Sequence, residues 1–461
     1  MPPRVAKRTK LSEPKSPANV GIVPPEDKHA AFTAWSKERG VEIRHVKPAQ
    51  LPGRGLGLVT TAKIKTGARI IFVPEKAMFK PYSFLTNASP QAQLAVSLLV
   101  DCIAAQPTIS TWAATWPTDV DFEHSMPLRW PESLRDLIPP PVEQPLRRQE
   151  EDLLKDLNSV HDFLAASELS DDDFRYYWFI VNSRSFHWKP SGGKVGSMVM
   201  CPFIDYINHA PSGSACNVFE RANGYEVVAD RDYGEFWSQF QMNSLPFRYF
   251  FLFQRRIVLS PYCQIKMRSI ALKVLRVYKR KIVTNPSEAA GEEILATYGA
   301  HSNDKLLVHY GFVCHSGRAP NHETPNRDDD IRLDHILLPA LTPAVRTQLQ
   351  DVGFLGGYAL LPASNELCFK TQVAVRAMLL TCNEWEYFVA NGEDLGEDQS
   401  GAVRTFVAPL LKQYSDEAAE KLVRIASKRE DLRDRNNEFD LLDTRWTQIA
   451  HALEDFLDSV P

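Results

Sequence analysis

The sequence predicts an α+β fold, in which short strands and hairpins surround a helical inset and are followed by an all-α C-terminal domain. Two observations carry this prediction. Short segments rich in β-branched residues and bounded by Gly or Pro occur early and again after Ser197, which is typical of small strands and hairpins. Between and after these segments, apolar residues recur at helical spacing.

The β segments come in two groups. After a short amphipathic helix, AAFTAWSKERG, the first predicted strands are VEIRHV, LGLVTTAKI and ARIIFVP. From Ser89 the period changes, and SPQAQLAVSLLVDCIAA and LRRQEEDLLKDLNSVHDFLAA predict the helical inset. Strand-like sequence resumes at SMVMCPFIDYI, NGYEVVADRD and EEILATYG. After Asp330, the segments VRTFVAPLLKQY, AAEKLVRIASK and WTQIAHALEDFL predict helices to the end.

These segments predict five regions along the chain. They are a disordered basic tail over 1–27, the N-terminal part of the β domain over 28–83, the helical inset over 84–176, the C-terminal part of the β domain over 177–315, and the helical domain over 316–461.

Composition excludes several classes of protein. With 461 residues and 44% hydrophobic content, the chain can bury a large core. The net charge of -4 argues against bulk nucleic-acid binding. Seven cysteines without a CxxC pair fit a reduced compartment and provide no zinc framework. We find no apolar leader or long uncharged span, so we expect a cytoplasmic or nuclear protein without a membrane partner. AKRTK in the tail is either a nuclear-import signal or ordinary solvated chain.

Three short motifs combine residue types that can hold a ligand. GRGLGL, from Gly53 to Leu58, is either a turn that approaches a ligand or an ordinary hairpin turn, and it lacks the dinucleotide spacing. CPFIDYINH places Asp205, Asn208 and His209 in an apolar segment, where unpaired polar groups are costly. They either satisfy one another in a core or face a ligand.

The third motif is GEEILATYG followed by HYGF, whose Tyr298 and Tyr310 are either core aromatics or site residues. His309, Cys314, His315 and His322 lie close in sequence, but their spacing matches no zinc pattern, so we predict no metal site.

The order of the motifs resembles that of SET-domain protein methyltransferases of the Rubisco large-subunit methyltransferase type, from about Ala31 to the end. That order is a glycine turn, a helical inset containing MPLRW, then SRSF, DYINH, EEILATYG and HYGF. The resemblance implies that the β domain is a SET β-fold, that the helical domain over 316–461 is a substrate-binding domain, and that S-adenosyl-L-methionine is the cofactor. The implied cofactor-binding residues are Gly55, Leu56, Gly57, Arg184, Asn208 and His209, with Asp205 anchoring the loop. A structural salt bridge is the alternative role for Arg184.

The resemblance further implies that Tyr298 is catalytic and that Phe186 and Tyr310 wall the substrate channel. The implied activity is lysine N-methylation of a non-histone protein, and an apolar ring at Phe186 favours lysine over histidine. The alternatives are a protein-histidine methyltransferase and an inactive SET module that only binds a partner. We expect a protein substrate with a target lysine, no nucleic acid and a monomer.

One segment departs from this resemblance. The family joins ADRD to GEEI by a tight turn, whereas here Gly234 to Ala290 intervene, 57 residues with 10 Lys and Arg against 2 Glu. The run MRSIALKVLRVYKRKI predicts a basic amphipathic helix that meets nucleic acid or a membrane surface. Alternatively, the segment is the translation of a retained intron.

Overall fold

The computed structural model of the chain describes residues 25–51, 54–83, 87–104, 107–189, 196–211, 215–233, 291–314 and 326–460. Residues 1–24 of the predicted tail, and the whole atypical segment from Gly234 to Ala290, lie outside this range. Residues 25–27, which were predicted to belong to the disordered tail, are instead the start of the first helix, Pro25–Glu38. The same holds for His315 and His322.

The helices and strands are labelled in chain order. In the described residues the helices are α1 Pro25–Glu38, α2 Pro90–Ile103, α3 Ser110–Ala113, α4 Asp119–Ser125, α5 Glu132–Arg135, α6 Pro140–Ala166, α7 Asp171–Arg184, α8 Asn303–Tyr310, α9 Asp334–Ala340, α10 Pro343–Asp351, α11 Phe369–Leu379, α12 Cys382–Asn391, α13 Ser400–Asp431 and α14 Asn436–Asp458. The strands are β1 Glu42–Ile43, β2 Val46–Leu51, β3 Gly55–Thr60, β4 Arg69–Pro74, β5 Ser185–Trp188, β6 Ser197–Met200, β7 Asn208–His209, β8 Asn217–Arg221, β9 Gly224–Val228, β10 Glu293–Ala296, β11 Ile331–Arg332, β12 Ala359–Leu361 and β13 Glu366–Leu367.

Most of the predicted β segments form two four-stranded sheets, with strand orders β1-β4-β9-β8 and β2-β3-β10-β7, whereas β6 pairs with β5 in a separate two-stranded sheet. Strand β10 is central in the second sheet. It pairs antiparallel with β3, where Ile294 faces Leu58, and parallel with β7, where Ala296 faces His209. This pairing brings together three segments that are far apart in sequence.

The helical inset packs on these sheets in one continuous core. Helix α2 begins where predicted, because the Ser89 side chain accepts a hydrogen bond from Ala92 N–H and Pro90 occupies the first turn. Helix α7 begins with a capping box between Ser170 and Asp173. Helix α7 packs against α2 and ends at Arg184, at the edge of the sheets.

The chain after Asp330 is mainly helical, as predicted, and its helices α9 to α14 share a second buried core. It also contains a small sheet in the order β11-β12-β13, which the sequence did not predict. These strands have two or three residues each, too few to display an alternating pattern. No helix among the described residues has the length and apolarity needed to span a membrane.

The strand predicted over SMVMCPFIDYI is correct only for its first four residues, because β6 ends at Met200. Pro202 has no N–H to donate to a ladder, and Phe203 has a φ of 74°, in the left-handed region. A short 3-10 turn, Ile204–Tyr206, follows. The chain therefore turns sharply just before Asn208.

The C-terminal helix α14 is joined to α8 by a fully buried charge. Arg445 on α14 donates from Nε to Asp304 Oδ1 at 2.6 Å and from Nη1 to Asp329 Oδ2 at 2.7 Å. Nearby, Gln448 accepts from Asn303 Nδ2 at 2.9 Å and donates to the Cys314 carbonyl at 2.6 Å. Both flanks of α8 are therefore held by the same turn of α14.

Replacing Arg445 tests this junction. Arg445→Met should lower the free energy of unfolding by about 3 to 5 kcal/mol, because two buried carboxylates lose their cation. The control is Arg429→Met, whose exposed ion pair with Asp440 should contribute about 0 to 1 kcal/mol. Urea titrations of both variants measure the difference, and equal losses would contradict the role assigned to Arg445.

The two ends that flank the atypical segment lie at the same edge of the β domain. Tyr233 exchanges backbone hydrogen bonds with Ile64, at 2.8 and 3.2 Å. On the other side, the Glu292 carbonyl accepts from Thr60 N–H at 2.9 Å. Arg231 and Glu292 also form an ion pair at 2.8 Å. A short connection can therefore join the two flanks.

Deleting Gly234 to Ala290 should consequently leave a protein at least as stable as the full chain, since both flanks keep their pairing with 60–64. We expect a cooperative thermal transition at an equal or higher temperature. A loss of cooperative unfolding would show that the segment is needed for the fold. Sequencing the transcript decides independently whether the segment is a retained intron.

Candidate functional site

A cleft of about 1310 Å³ runs between the β domain and helix α14. Its walls bring together most of the residues that the sequence predicted. These are Gly55, Leu56, Arg184, Asn208, His209, Tyr298 and Tyr310. Asp205 also lines the cleft, whereas Gly57 lies just behind the wall and Phe186 is elsewhere.

Gly55 and Leu56 lie at the start of β3, which pairs with β2 in a hairpin, and they also line the cleft, so the hairpin interpretation of GRGLGL is confirmed and its approach to a ligand stays a prediction. Gly55 has a φ of +71° with open space where a side chain would lie. A Cβ on Gly57 would come within 2.7 Å of Leu51 Cδ1 and 2.8 Å of Asn208 Nδ2. A side chain at Gly57 would therefore displace Asn208.

Asn208 is held by a carboxylate that the sequence reasoning missed. Its Nδ2 donates to Glu293 Oε1 at 2.9 Å, and Glu293 Oε2 lies 3.3 Å from Arg54 Nε. Arg54 also donates to the His209 carbonyl at 3.3 Å. Both residues belong to motifs noted in the sequence, Glu293 to GEEI and Arg54 to GRG. Their proximity to Asn208 depends on strand pairing, which the motifs do not reveal.

His209 is a buried neutral imidazole. Burial lowers its pKa from 6.5 to about 4. Its Nδ1 lies 3.1 Å from Tyr298 N, which donates a hydrogen bond to it. The proton must then be on Nε2, and within the described ranges this buried atom has no hydrogen-bond partner. The site wall thus contains a donor that a ligand acceptor could satisfy.

Asp205 and Arg184 pair with each other at the opposite wall. Arg184 Nη1 donates to the Asp205 carbonyl at 3.0 Å and to Oδ2 at 3.3 Å. Trp112 Nε1 donates to the same Oδ2 at 3.0 Å. Burial raises the pKa of the Asp205 carboxyl, although Arg184 opposes that shift. Asp205 Oδ1 is buried and has no partner in the part of the chain that is described.

These contacts answer the question raised by CPFIDYINH. No hydrogen bond joins Asp205, Asn208 and His209 to one another among the described residues, and their hydrogen-bond partners lie on other elements. In the same part of the chain, two of the three have a buried atom without a partner, and all three line the cleft. This arrangement favours a ligand over a self-satisfied core cluster. The salt-bridge alternative for Arg184 also holds, because the pair with Asp205 exists while Arg184 lines the cleft.

Three aromatic rings form another wall. The Tyr298 ring lies 5.0 Å from Tyr310 and 6.3 Å from Phe312, and Tyr310 and Phe312 are 6.3 Å apart. Phe312 was missed by the sequence reasoning, although it is the last residue of HYGF. Gly311, with a φ of +73°, lets the chain turn between the two rings, and a Cβ there would meet Ser125.

The Tyr298 hydroxyl is oriented by the backbone. It donates to the Ile207 carbonyl at 2.8 Å. Burial raises the pKa of the phenol above its usual value of 10.0, so it stays protonated at neutral pH. Because its proton points to Ile207, the lone pairs of the oxygen are available as acceptors.

Phe186 lies on β5, and its ring centroid is 5.6 Å from that of Tyr225. It is not part of the cleft lining, so its place in the channel rests on the family resemblance alone.

Helix α14 supplies the far wall of the cleft, through Asn437, Asp440, Leu441 and Thr444. It is fixed there by buried Glu438, which accepts from His124 on α4 at 2.9 Å. Sequence reasoning assigned no site residue to this helix. Among the described residues, no group of three or more His, Cys, Asp or Glu side chains is placed to hold a metal ion.

Comparisons with known proteins agree with this geometry. No protein-family model matches the chain. SET domain-containing protein 4 of Mus musculus is 22% identical over 382 residues, which span 73% of this chain and 72% of the mouse protein. SET domain-containing protein 4 of Artemia parthenogenetica is 24% identical over 222 residues, which span 42% of this chain and 54% of that protein.

Two solved structures resemble the chain along nearly its whole length. The SET domain of LSMT bound to lysine and AdoHcy has a TM-score of 0.53 at 15% identity, covering 94% of this chain and 92% of that one. Rubisco LSMT bound to AdoMet has a TM-score of 0.50 at 16% identity, covering 94% and 93%. The chain therefore has the SET fold. This result confirms the predicted fold class and the resemblance to the Rubisco large-subunit methyltransferase type.

The buried state of His209 predicts a pH dependence of stability. Its pKa is lower in the folded chain, about 4, than the ordinary 6.5, so below pH 6.5 the unfolded chain binds the extra proton. Stability should therefore fall as the pH drops from 6.5 to 4, with about 2 kcal/mol lost by pH 5.

Urea unfolding at pH 7 and pH 5 measures this loss, with His209→Gln as the comparison. His309 and His335 have similarly lowered pKa values, but they are present in both proteins and cancel. The variant should lose about 2 kcal/mol less than the wild type between the two pH values. Equal losses would mean that His209 is not buried as a neutral ring.

Proposed function

We propose that this SET-fold chain is an S-adenosyl-L-methionine-dependent protein-lysine N-methyltransferase that acts on a non-histone protein. The main support is one observation: the Tyr298 hydroxyl lies in the cleft and donates its proton to the Ile207 carbonyl, beside strand β7 with Asn208 and His209. A hydroxyl oriented in this way can accept a hydrogen bond from an amine.

The chain's residues fit S-adenosyl-L-methionine chemically. The cofactor carries an α-carboxylate, an α-ammonium and an adenine, which need donors and acceptors in a closed slot. Within the described residues, only Nη1 of Arg184 is engaged by protein groups, which leaves N–H groups for a carboxylate. His209 Nε2 and Asp205 Oδ1 are a buried donor and a buried acceptor that have no partner in the described part of the chain. Gly55 leaves room for close approach of a ligand to the backbone.

The cofactor supplies a methyl group on a positively charged sulfur. The chain must orient the acceptor amine, exclude water and favour the neutral amine. The rings of Tyr298, Tyr310 and Phe312 form an apolar wall that lowers the pKa of a lysine ammonium from its usual value of about 10.4. The Tyr298 oxygen accepts a hydrogen bond from the amine and so directs its lone pair. No nucleophilic side chain is required.

The direct test is transfer of a labelled methyl group from the cofactor to proteins of a cell lysate, followed by mass spectrometry of the modified residue. Methyllysine is the expected product. Methylhistidine would replace the lysine assignment by the histidine alternative. Absence of both label and cofactor binding in calorimetry would support the inactive binding module.

Tyr298→Phe should lower turnover by about 100-fold or more while cofactor affinity changes little, because the hydroxyl acts on the acceptor. Tyr414→Phe is a matched control, since this buried tyrosine lies on α13 outside the cleft lining. Steady-state rates and calorimetry measure the two effects. Wild-type turnover in Tyr298→Phe would remove Tyr298 from the mechanism.

Asn208→Ala should weaken cofactor binding by about 1 to 3 kcal/mol, because polar groups of a closed slot lose their partner. Asn391→Ala, which removes an exposed amide on α12, is the control. Calorimetry with each variant gives the affinities. An unchanged affinity in Asn208→Ala would return this residue to a purely structural role.

A further inference from the structure

A second concavity lies away from the cleft, on the surface formed by α11, α12 and the loop that follows α12. Its volume is about 310 Å³, enough for one or two side chains, and it shares no lining residue with the cleft. We call it the C-terminal pocket, and its principal residues are Phe369, Arg376, Phe388, Glu393, Asp394 and Asp398.

The floor of the C-terminal pocket is electrically neutral. Arg376, with a side chain only 4% exposed, donates from Nε and Nη2 to the two Asp394 oxygens at 2.7 and 2.8 Å. Its guanidinium also lies 4.8 Å from the centre of the Phe388 ring. Arg376 lowers the pKa of Asp394, which therefore stays charged and matched to the arginine. The floor thus offers no unmatched cation to an anionic ligand.

The rim of the C-terminal pocket is acidic. Asp398 has a side chain that is 76% exposed, and Glu393 is also exposed. Between residues 382 and 399 the sequence contains six Asp or Glu and no Lys or Arg. Asp398 accepts hydrogen bonds from Ser400, which lower the pKa of its carboxyl and keep it ionised. Among the residues that line the pocket, the one cation near these carboxylates is Arg376, which lies 3.9 Å from Asp398 but is paired with Asp394 at 2.7 Å.

An exposed aromatic ring lies beside these carboxylates. Phe369 is 54% exposed, and its ring is 6.3 Å from Phe388 and 5.8 Å from Phe354. Phe369 and Phe388 line the pocket together, and an apolar surface rimmed by polar residues is typical of an interaction site. An aromatic face next to carboxylates suits a Lys or Arg, whose aliphatic stem packs on the ring while its charge reaches the acids.

We propose that the C-terminal pocket is a docking site for a basic segment of the protein substrate. A Lys or Arg of that segment packs on Phe369 and faces Glu393 and Asp398. The identity of the occupant as substrate rests on the proposed function, whereas the chemistry of the pocket does not. Helix α11 packs on α13, which packs on α14, so a segment docked here is bound to the same helical core that lines the cleft.

The binding test uses the full-length protein and a fluorescein-labelled peptide of alternating Lys and Phe, with a Gln-for-Lys peptide as the reference. Fluorescence anisotropy should show that Glu393→Gln/Asp398→Asn weakens binding of the Lys peptide by about tenfold. Phe369→Ser should weaken binding of both peptides. The control, Glu420→Gln/Glu430→Gln, removes the same charge from exposed positions of α13 and should leave affinity within about twofold.

Equal affinity in wild type and Glu393→Gln/Asp398→Asn would overturn the docking site, whether or not the chain methylates protein. Tighter peptide binding after deletion of residues 1–24 would overturn the substrate as occupant in favour of the chain's own basic N-terminal segment.

For the substrate, the initial rate of labelled methyl transfer to a dilute lysate should fall by about fivefold in Glu393→Gln/Asp398→Asn, with cofactor affinity unchanged. An unchanged rate would assign the pocket to a different basic partner.

Discussion

The pairing of β10 with β3 on one side and β7 on the other is the constraint on which the site depends. It brings the glycines of β3, Asn208 and His209 of β7, and Tyr298 together from three distant parts of the chain. Register matters because a slip of one residue would turn Tyr298 away from Ile207 and His209. Gly57 is part of the same constraint, since any side chain there would collide with Asn208.

Burial at this junction decides the protonation of the side chains. His209 is neutral because its surroundings are apolar, and the Tyr298 N–H uses its one acceptor nitrogen. Tyr298 stays protonated for the same reason, and a backbone carbonyl fixes the direction of its proton. The protein thus prepares a fixed set of donors and acceptors before any ligand arrives. Such preorganisation lowers the cost of orienting a reaction partner.

The helical C-terminal region completes the cleft. Arg445 and Gln448 of α14 hold both flanks of α8, and that segment carries Tyr310 and Phe312. Burying a charge is costly, and pairing with two carboxylates offsets this cost for Arg445. The same two contacts specify one position for the helix. Helix α8, which precedes the aromatic wall, and Phe388 of the C-terminal pocket pack in the same buried core.

The sequence by itself determined the fold class, and most of the residues that it predicted for the site line the cleft, because polar residues such as Asn208 and His209 stood out in apolar segments and the motifs followed a characteristic order. It did not predict Glu293, Arg54 or Phe312 as site residues, and it extended a strand through Phe203. Only the tertiary structure decided these points and the wall formed by α14. The physical reason is distance along the chain: local patterns record the period and polarity of a segment, whereas the partner of a buried group is set by pairing between segments that are hundreds of residues apart.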